Sequence, residues 1–98
     1  MIKITVNSNL ITISGHANYS DTEDIVCASV SSIMYTTVNA ILRFDNSAIT
    51  YLDDKSKVEI KINNHDKTTT TLIDNMLSLF YELESNYKKN IQIRKEDK

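Results

Sequence analysis

Gly15-His16-Ala17-Asn18-Tyr19-Ser20-Asp21-Thr22-Glu23-Asp24-Ile25-Val26-Cys27-Ala28-Ser29-Val30-Ser31 is where the pattern of the chain changes. Before it, apolar residues alternate; after it, they recur at helical spacing. The stretch holds the only glycine, the only cysteine and one of the two histidines in the sequence. A strand that ends at Gly15-His16 and a helix that opens before Cys27 can bring an imidazole and a thiol together across a loop. The central expectation is that His16 and Cys27 meet there as base and nucleophile.

Toward the N-terminus, Ile2, Ile4 and Val6 share one parity, then comes the turn cluster Asn7-Ser8-Asn9. Ile11, Ile13 and Gly15 share the apolar parity of the next run. Together these residues read as a hairpin with one buried face. His16 has the parity of Thr12 and Ser14, so it leaves the sheet on the wetter side.

Toward the C-terminus, Ser20 and Glu23 have capping-box spacing, and Asp21, Thr22 and Asp24 are rival N-caps. The helix start is expected between 21 and 25, and the end at Leu42 or Arg43. Val26, Val30, Ile33, Thr37 and Ile41 form one stripe; Cys27, Ser31, Met34, Val38 and Leu42 form the next. Two apolar stripes predict cover on more than one side. Ala48–Leu52 and Lys57–Ile62 read as a second hairpin, the latter alternating cleanly. Asn63-Asn64-His65-Asp66 reads as loop. A weak threonine start at 68–71 leads into the stripe Leu72, Met76, Leu79/Phe80, Leu83 and Tyr87. Lys88-Lys89 stands where cations favour a helix C-terminus. Ile91 and Ile93 make a short last strand.

Strand-strand-helix-strand-strand-helix-strand is the order of an α/β (α+β) sandwich with a mixed sheet and two main helices. At 98 residues the chain is expected to form one domain, spanning 1–98. No apolar run suggests a membrane span, and the opening Met1-Ile2-Lys3-Ile4-Thr5-Val6 reads as strand rather than leader. A cytoplasmic protein is the default expectation. One cysteine cannot form an internal disulfide. Net charge −2 and a pI near 5.6 supply no basic stripe for nucleic acid and suit a basic partner. Zero prolines and one glycine leave ten asparagines, with aspartate and serine, to make the turns. Gly15 is therefore expected to serve a positive φ angle or a close backbone approach.

A free thiol, with an ordinary pKa of about 8.5, is a weak nucleophile until a base or a helix N-terminus favours the thiolate. The same imidazole can then protonate a leaving amine. Ser31 lies one helical turn after Cys27 and can hydrogen-bond near the sulfur. Asp21, Glu23 and Asp24 work against the thiolate but favour the imidazolium, and one of them can orient the ring. Each residue also has a plainer reading. A cysteine in an apolar helix commonly just packs, and a histidine at a strand end is commonly exposed. A metal site from His16, Asp24 and Cys27 lacks a fourth ligand and a recognised spacing. His65 sits in a polar loop with nothing to place it near Cys27.

With Gly15-His16-Ala17 followed by Asp24-Ile25-Val26-Cys27-Ala28-Ser29-Val30-Ser31, the chain resembles the ribosomal-processing cysteine protease family, Prp. Leu83-Glu84 through Tyr87 to Ile91-Gln92-Ile93 also resembles the last helix and strand of that family. The resemblance implies an endopeptidase that removes the N-terminal extension of a large-subunit ribosomal protein. It implies His16 and Cys27 as catalytic, with Asp24 and Ser31 supporting. The loop between the two catalytic positions is similar to a mobile substrate-covering segment. Glu23 stands where many members have glycine, and Lys88 where many have proline. The resemblance further implies a homodimer and an aromatic residue before the cut. From the residues themselves, Tyr19 and Met34 can wall a pocket for a ring, while Asp21 and Glu23 can attract lysines beyond the cut. No basic pocket is visible. No metal, cofactor, direct nucleic-acid contact or membrane partner is expected. The rival readings are a non-enzymatic ribosome-assembly binding module and another Cys-His hydrolase.

Overall fold

Alternation in the chain's first residues becomes β1 (Ile2–Val6) and β2 (Leu10–Ser14). They pair antiparallel, with Ile4 opposite Ile13 and Val6 opposite Ile11. The Asn7 side chain makes the turn by accepting from the N–H groups of Asn9 and Leu10, at 2.9 and 2.8 Å. The architecture is that of a computed structural model, which describes residues 1–15, 21–54 and 56–96, without the side chains of 21–24.

The long helix α1 (Asp21–Phe44) leads to a second hairpin, β3 (Ile49–Asp53) and β4 (Lys57–Ile62). Helix α2 (Lys67–Asn86) and strand β5 (Ile91–Lys95) complete the order. The sheet runs β3-β4-β2-β1-β5, antiparallel except for the β1–β5 pair. It is a five-stranded mixed sheet with two helices, the α+β arrangement expected from the element order. Because β2 and β3 both lie antiparallel to β4, α1 joins two parallel strands; α2 likewise joins β4 to β5.

Strand alternation sorts the sheet into two faces. Ile2, Ile4, Val6, Ile11, Ile60 and Ile91 are buried, while Lys3, Lys57, Lys61 and Gln92 between them are exposed. Val26, Val30, Met34, Thr37, Val38 and Ile41 of α1 and Ile73, Met76 and Phe80 of α2 meet the apolar face. The sheet and α2 share the apolar stripes of α1, which leaves Ile25, Tyr35 and Phe44 exposed.

Four details differ from the sequence reading. Strand β3 begins at Ile49, since Ala48 is fully buried and donates its N–H to the Asp45 carbonyl at 3.1 Å. Strand β5 extends to Lys95, because parallel pairing with β1 satisfies its charged end. Lys88-Lys89 lies beyond α2, which ends where the Tyr87 N–H donates to the carbonyls of Leu83 and Glu84. Finally, Ile25–Phe44 is long and apolar enough to cross a membrane, with a mean hydropathy of 1.6. Arg43 is its only charge. Here its inward stripe builds the core of the fold, a role that needs the same apolar residues.

Candidate active site

Gly15 ends the first hairpin with φ +98°, in the region open to glycine. A Cβ there would collide with the carbonyl oxygen of Met1. Both expected reasons for the glycine therefore hold: a positive φ and a close backbone approach. The β1–β2 register thus presses the end of β2 against the start of β1.

Cys27 is the seventh residue of α1, in its second turn, and its side chain is partly exposed beside the core. Its face of α1 overhangs a cleft of about 130 Å³. Gly15, Cys27, Ser31 and Met34 all line this cleft, over a floor that includes Ile13 and Val58. Drug-sized ligands occupy pockets of about 300–1,000 Å³. This cleft admits a side chain of an extended chain rather than such a ligand.

His16 and Tyr19 lie outside the described residues. Asp21, Glu23 and Asp24 fall in the first turn of α1, and their side chains also lie outside them. Of the metal reading of His16, Asp24 and Cys27, the first residue and the side chain of the second lie outside the described residues as well. Among the described residues no group of His, Cys, Asp and Glu could hold a metal ion. His65 is exposed, and its Nε2 lies 2.9 Å from Asn9 Oδ1. Asn9 immediately precedes β2, so His65 stands at the opposite end of that strand from Gly15.

The cleft also contains residues that the sequence reading missed. Tyr35 lines it from α1 itself, two turns after Cys27, and Asp53, Ser56 and Lys57 line it from the second hairpin. One of these residues, Lys57, is basic, and its Nζ lies 3.6 Å from Glu59 on the outer sheet face. Tyr35 meets Tyr51 edge to face, with ring centroids 6.2 Å apart and planes at 68°. The Tyr51 hydroxyl donates to Asp53 Oδ2 at a long 3.4 Å. Burial, and then the Tyr35 hydroxyl, push the Tyr51 phenol well above its ordinary range, so it remains a donor. For the hairpin residues the signal was present only as tertiary contact, since the second hairpin folds back along α1, whereas Tyr35 stands one helical turn after Ser31.

A larger concavity of about 420 Å³ lies between the end of α2 and β5, beside Tyr81, Glu84 and Gln92. Among the described residues it contains no thiol or imidazole, and the Glu84 carboxylate there accepts the Ile93 N–H at 2.8 Å. Chemistry, rather than size, selects the smaller cleft.

A two-layer α+β fold that presents a half-exposed thiol over an apolar-floored cleft defines a class of small cysteine proteins suited to act on extended chains. The chain belongs to the cysteine protease Prp family, whose model matches residues 1–92. It is 28% identical over 100 residues to the ribosomal processing cysteine protease Prp of Staphylococcus aureus, in strains Mu50 and NCTC 8325, covering 94% of each chain. The crystal structure of the S. aureus protease with a covalently linked product peptide superposes with a TM-score of 0.87. That match has 22% identity and covers 98% of this chain and all of the other. The same protease with a substrate peptide gives 0.83 at 23% identity, covering 97% of each chain.

Proposed function

We propose that the chain is a cysteine endopeptidase that uses Cys27 as nucleophile and His16 as base, and that trims the N-terminal extension of a large-subunit ribosomal protein. The observation that carries this reading is the meeting of Gly15, Cys27 and Ser31 in one cleft. His16 is bonded to Gly15, and consecutive Cα atoms are about 3.8 Å apart across a trans peptide. The proposed base is therefore covalently next to a residue that lines the cleft holding the thiol. The field of a helix end falls off within its first turn. At the second turn, Cys27 depends chiefly on the imidazole.

In the reaction, the imidazole takes the thiol proton and the sulfur attacks the scissile carbonyl carbon. The tetrahedral intermediate collapses, the imidazolium protonates the leaving amine, and a thioester remains. Water attacks that ester with the imidazole again as base, and the thiol is restored. Asp24 supports the imidazole and Ser31 the sulfur. Met34 is a soft wall for an aromatic side chain before the cut, together with Tyr19; Asp21 and Glu23 bias the other side toward lysines. We further propose that it acts as a single domain in the cytoplasm, as a homodimer, without metal or cofactor.

The test is incubation with the cognate ribosomal protein precursor, followed by mass analysis of the product termini. Trimming at one bond is expected. Cys27→Ala should abolish it while circular dichroism stays unchanged, since only a sulfur is removed. His16→Ala should slow both cleavage and iodoacetamide labelling of Cys27. Full cleavage by the Cys27→Ala protein would remove the thiol from the mechanism. An intact precursor with an inert thiol would favour the binding-module reading.

A further inference from the structure

The far wall of the cleft carries a carboxylate that the reaction itself does not use. In the β3–β4 register Asp53 stands opposite Val58, and Tyr51 opposite Ile60. Val58 and Ile60 belong to the helix-facing side of β4, so Asp53 follows Ile49 and Tyr51 along the helix-facing side of β3. A strand that begins with buried Ile49 ends by placing an exposed charge at the mouth of the cleft. Lys57, the other charged residue lining the cleft, alternates to the outer face, where it meets Glu59. The helix-facing wall is thus acidic among the described residues.

The carboxylate is also oriented. The Tyr51 hydroxyl donates to it, and Tyr51 is in turn packed against Tyr35 of α1. A tyrosine bridge therefore ties the charge on β3 to the helix that carries Cys27. Such an anchored anion suits a flexible cation arriving on an extended chain better than an apolar side chain.

We propose that Asp53 is a specificity-determining residue that selects a lysine or arginine of the peptide near the bond to be cut. This rests on the peptide-cleaving reading above. The pair forms at an exposed rim, where such contacts are worth little individually; a preference of about fivefold is expected, weakening with added salt. The Tyr51 hydroxyl acts through Asp53 as a positioning group.

The test uses synthetic peptides with phenylalanine before the cut and a single lysine or glutamine scanned through the flanking positions. Binding to the Cys27→Ala protein and kcat/KM with the native protein are both measured. One lysine position should bind about fivefold tighter than glutamine and show the gain mainly in KM. Asp53→Asn, a near-isosteric change at an exposed site, should erase that preference while leaving iodoacetamide labelling of Cys27 unchanged. Asp53→Lys should transfer the preference to a glutamate peptide, and Tyr51→Phe should reduce it partway. An Asp53→Asn protein that keeps the full lysine preference overturns the proposal, as does equal or undetectable binding of every peptide. Lysine-selective binding lost in Asp53→Asn but without cleavage by the native protein would uphold the proposal and sink the protease reading instead.

Discussion

At Gly15 two separate demands fall on one residue. The backbone angle excludes comfortable L side chains, and the Met1 carbonyl occupies the space a Cβ needs. Gly15→Ala should therefore cost about 2 kcal/mol or more, a fall in Tm of roughly 8 °C or more for a domain this small. Because Gly15 lines the cleft, cleavage should fall further than the loss of folded protein explains. Thermal melting beside kcat measurement checks both parts; an unchanged melt would mean the chain relaxes away from Met1 freely. The meaning of Gly15 was legible because the sequence contains no other glycine to share its duties. Cys27 and Ser31 on one face were legible from helical spacing alone. Asp53 and Tyr51 were not, because their roles arise where β3 folds back along α1. No local pattern records which helix face a remote hairpin will meet.

Helix α2 shows the same division between local and remote information. Its weak threonine start is offset by a cap: Asp66 Oδ1 accepts from the Thr69 N–H at 2.8 Å, and Oδ2 from the Thr69 hydroxyl at 3.1 Å. The second bond explains why a threonine is fully buried there. Asp66→Ala should cost about 1 kcal/mol, visible as a Tm lower by roughly 4–8 °C, while Cys27 labelling stays unaffected. An equal loss in Asp66→Asn would show that charge, rather than a capping acceptor, is what matters. The apolar stripe Leu72, Met76, Phe80 and Leu83 was readable from its period, and Met76 and Phe80 are fully buried. The end of the helix was harder to read, because Tyr87 continues the stripe yet closes the helix as its cap.

At the scale of the molecule, two aspartates among the described residues fix turns between the elements. Asp45 accepts from the Ser47 hydroxyl and N–H, which hold its carboxyl below the usual range. At Asp54 the Lys57 N–H and then the Ser56 hydroxyl do the same. Both values are depressed in the folded state, so the stabilisation is complete above the ordinary aspartate pKa of about 3.9. It is lost as pH falls through the lower folded values. Urea midpoints should be flat near neutrality and fall below about pH 4, and the double variant Asp45→Asn/Asp54→Asn should lose part of that acid dependence. A wild-type midpoint that declines no more steeply than the double variant's would mean the turns contribute nothing to it.

The parallel pairing of the first strand with the last has a consequence for how the protein is made. Strand β1 holds β2 on one side and β5 on the other, and Ile2 donates its N–H to the Asn90 carbonyl. A nascent chain leaves the ribosome N-terminus first, so β1 and β2 emerge as a hairpin with both outer edges bare, β2 awaiting β4 and β1 awaiting β5. Neither helix covers the β1 edge, because it is β5, the last strand in the order, that pairs there. Ile2 also lines the cleft beside Cys27. Cys27 thus precedes β3 and β4 in synthesis, and with them the residues Asp53, Ser56 and Val58 that complete its cleft.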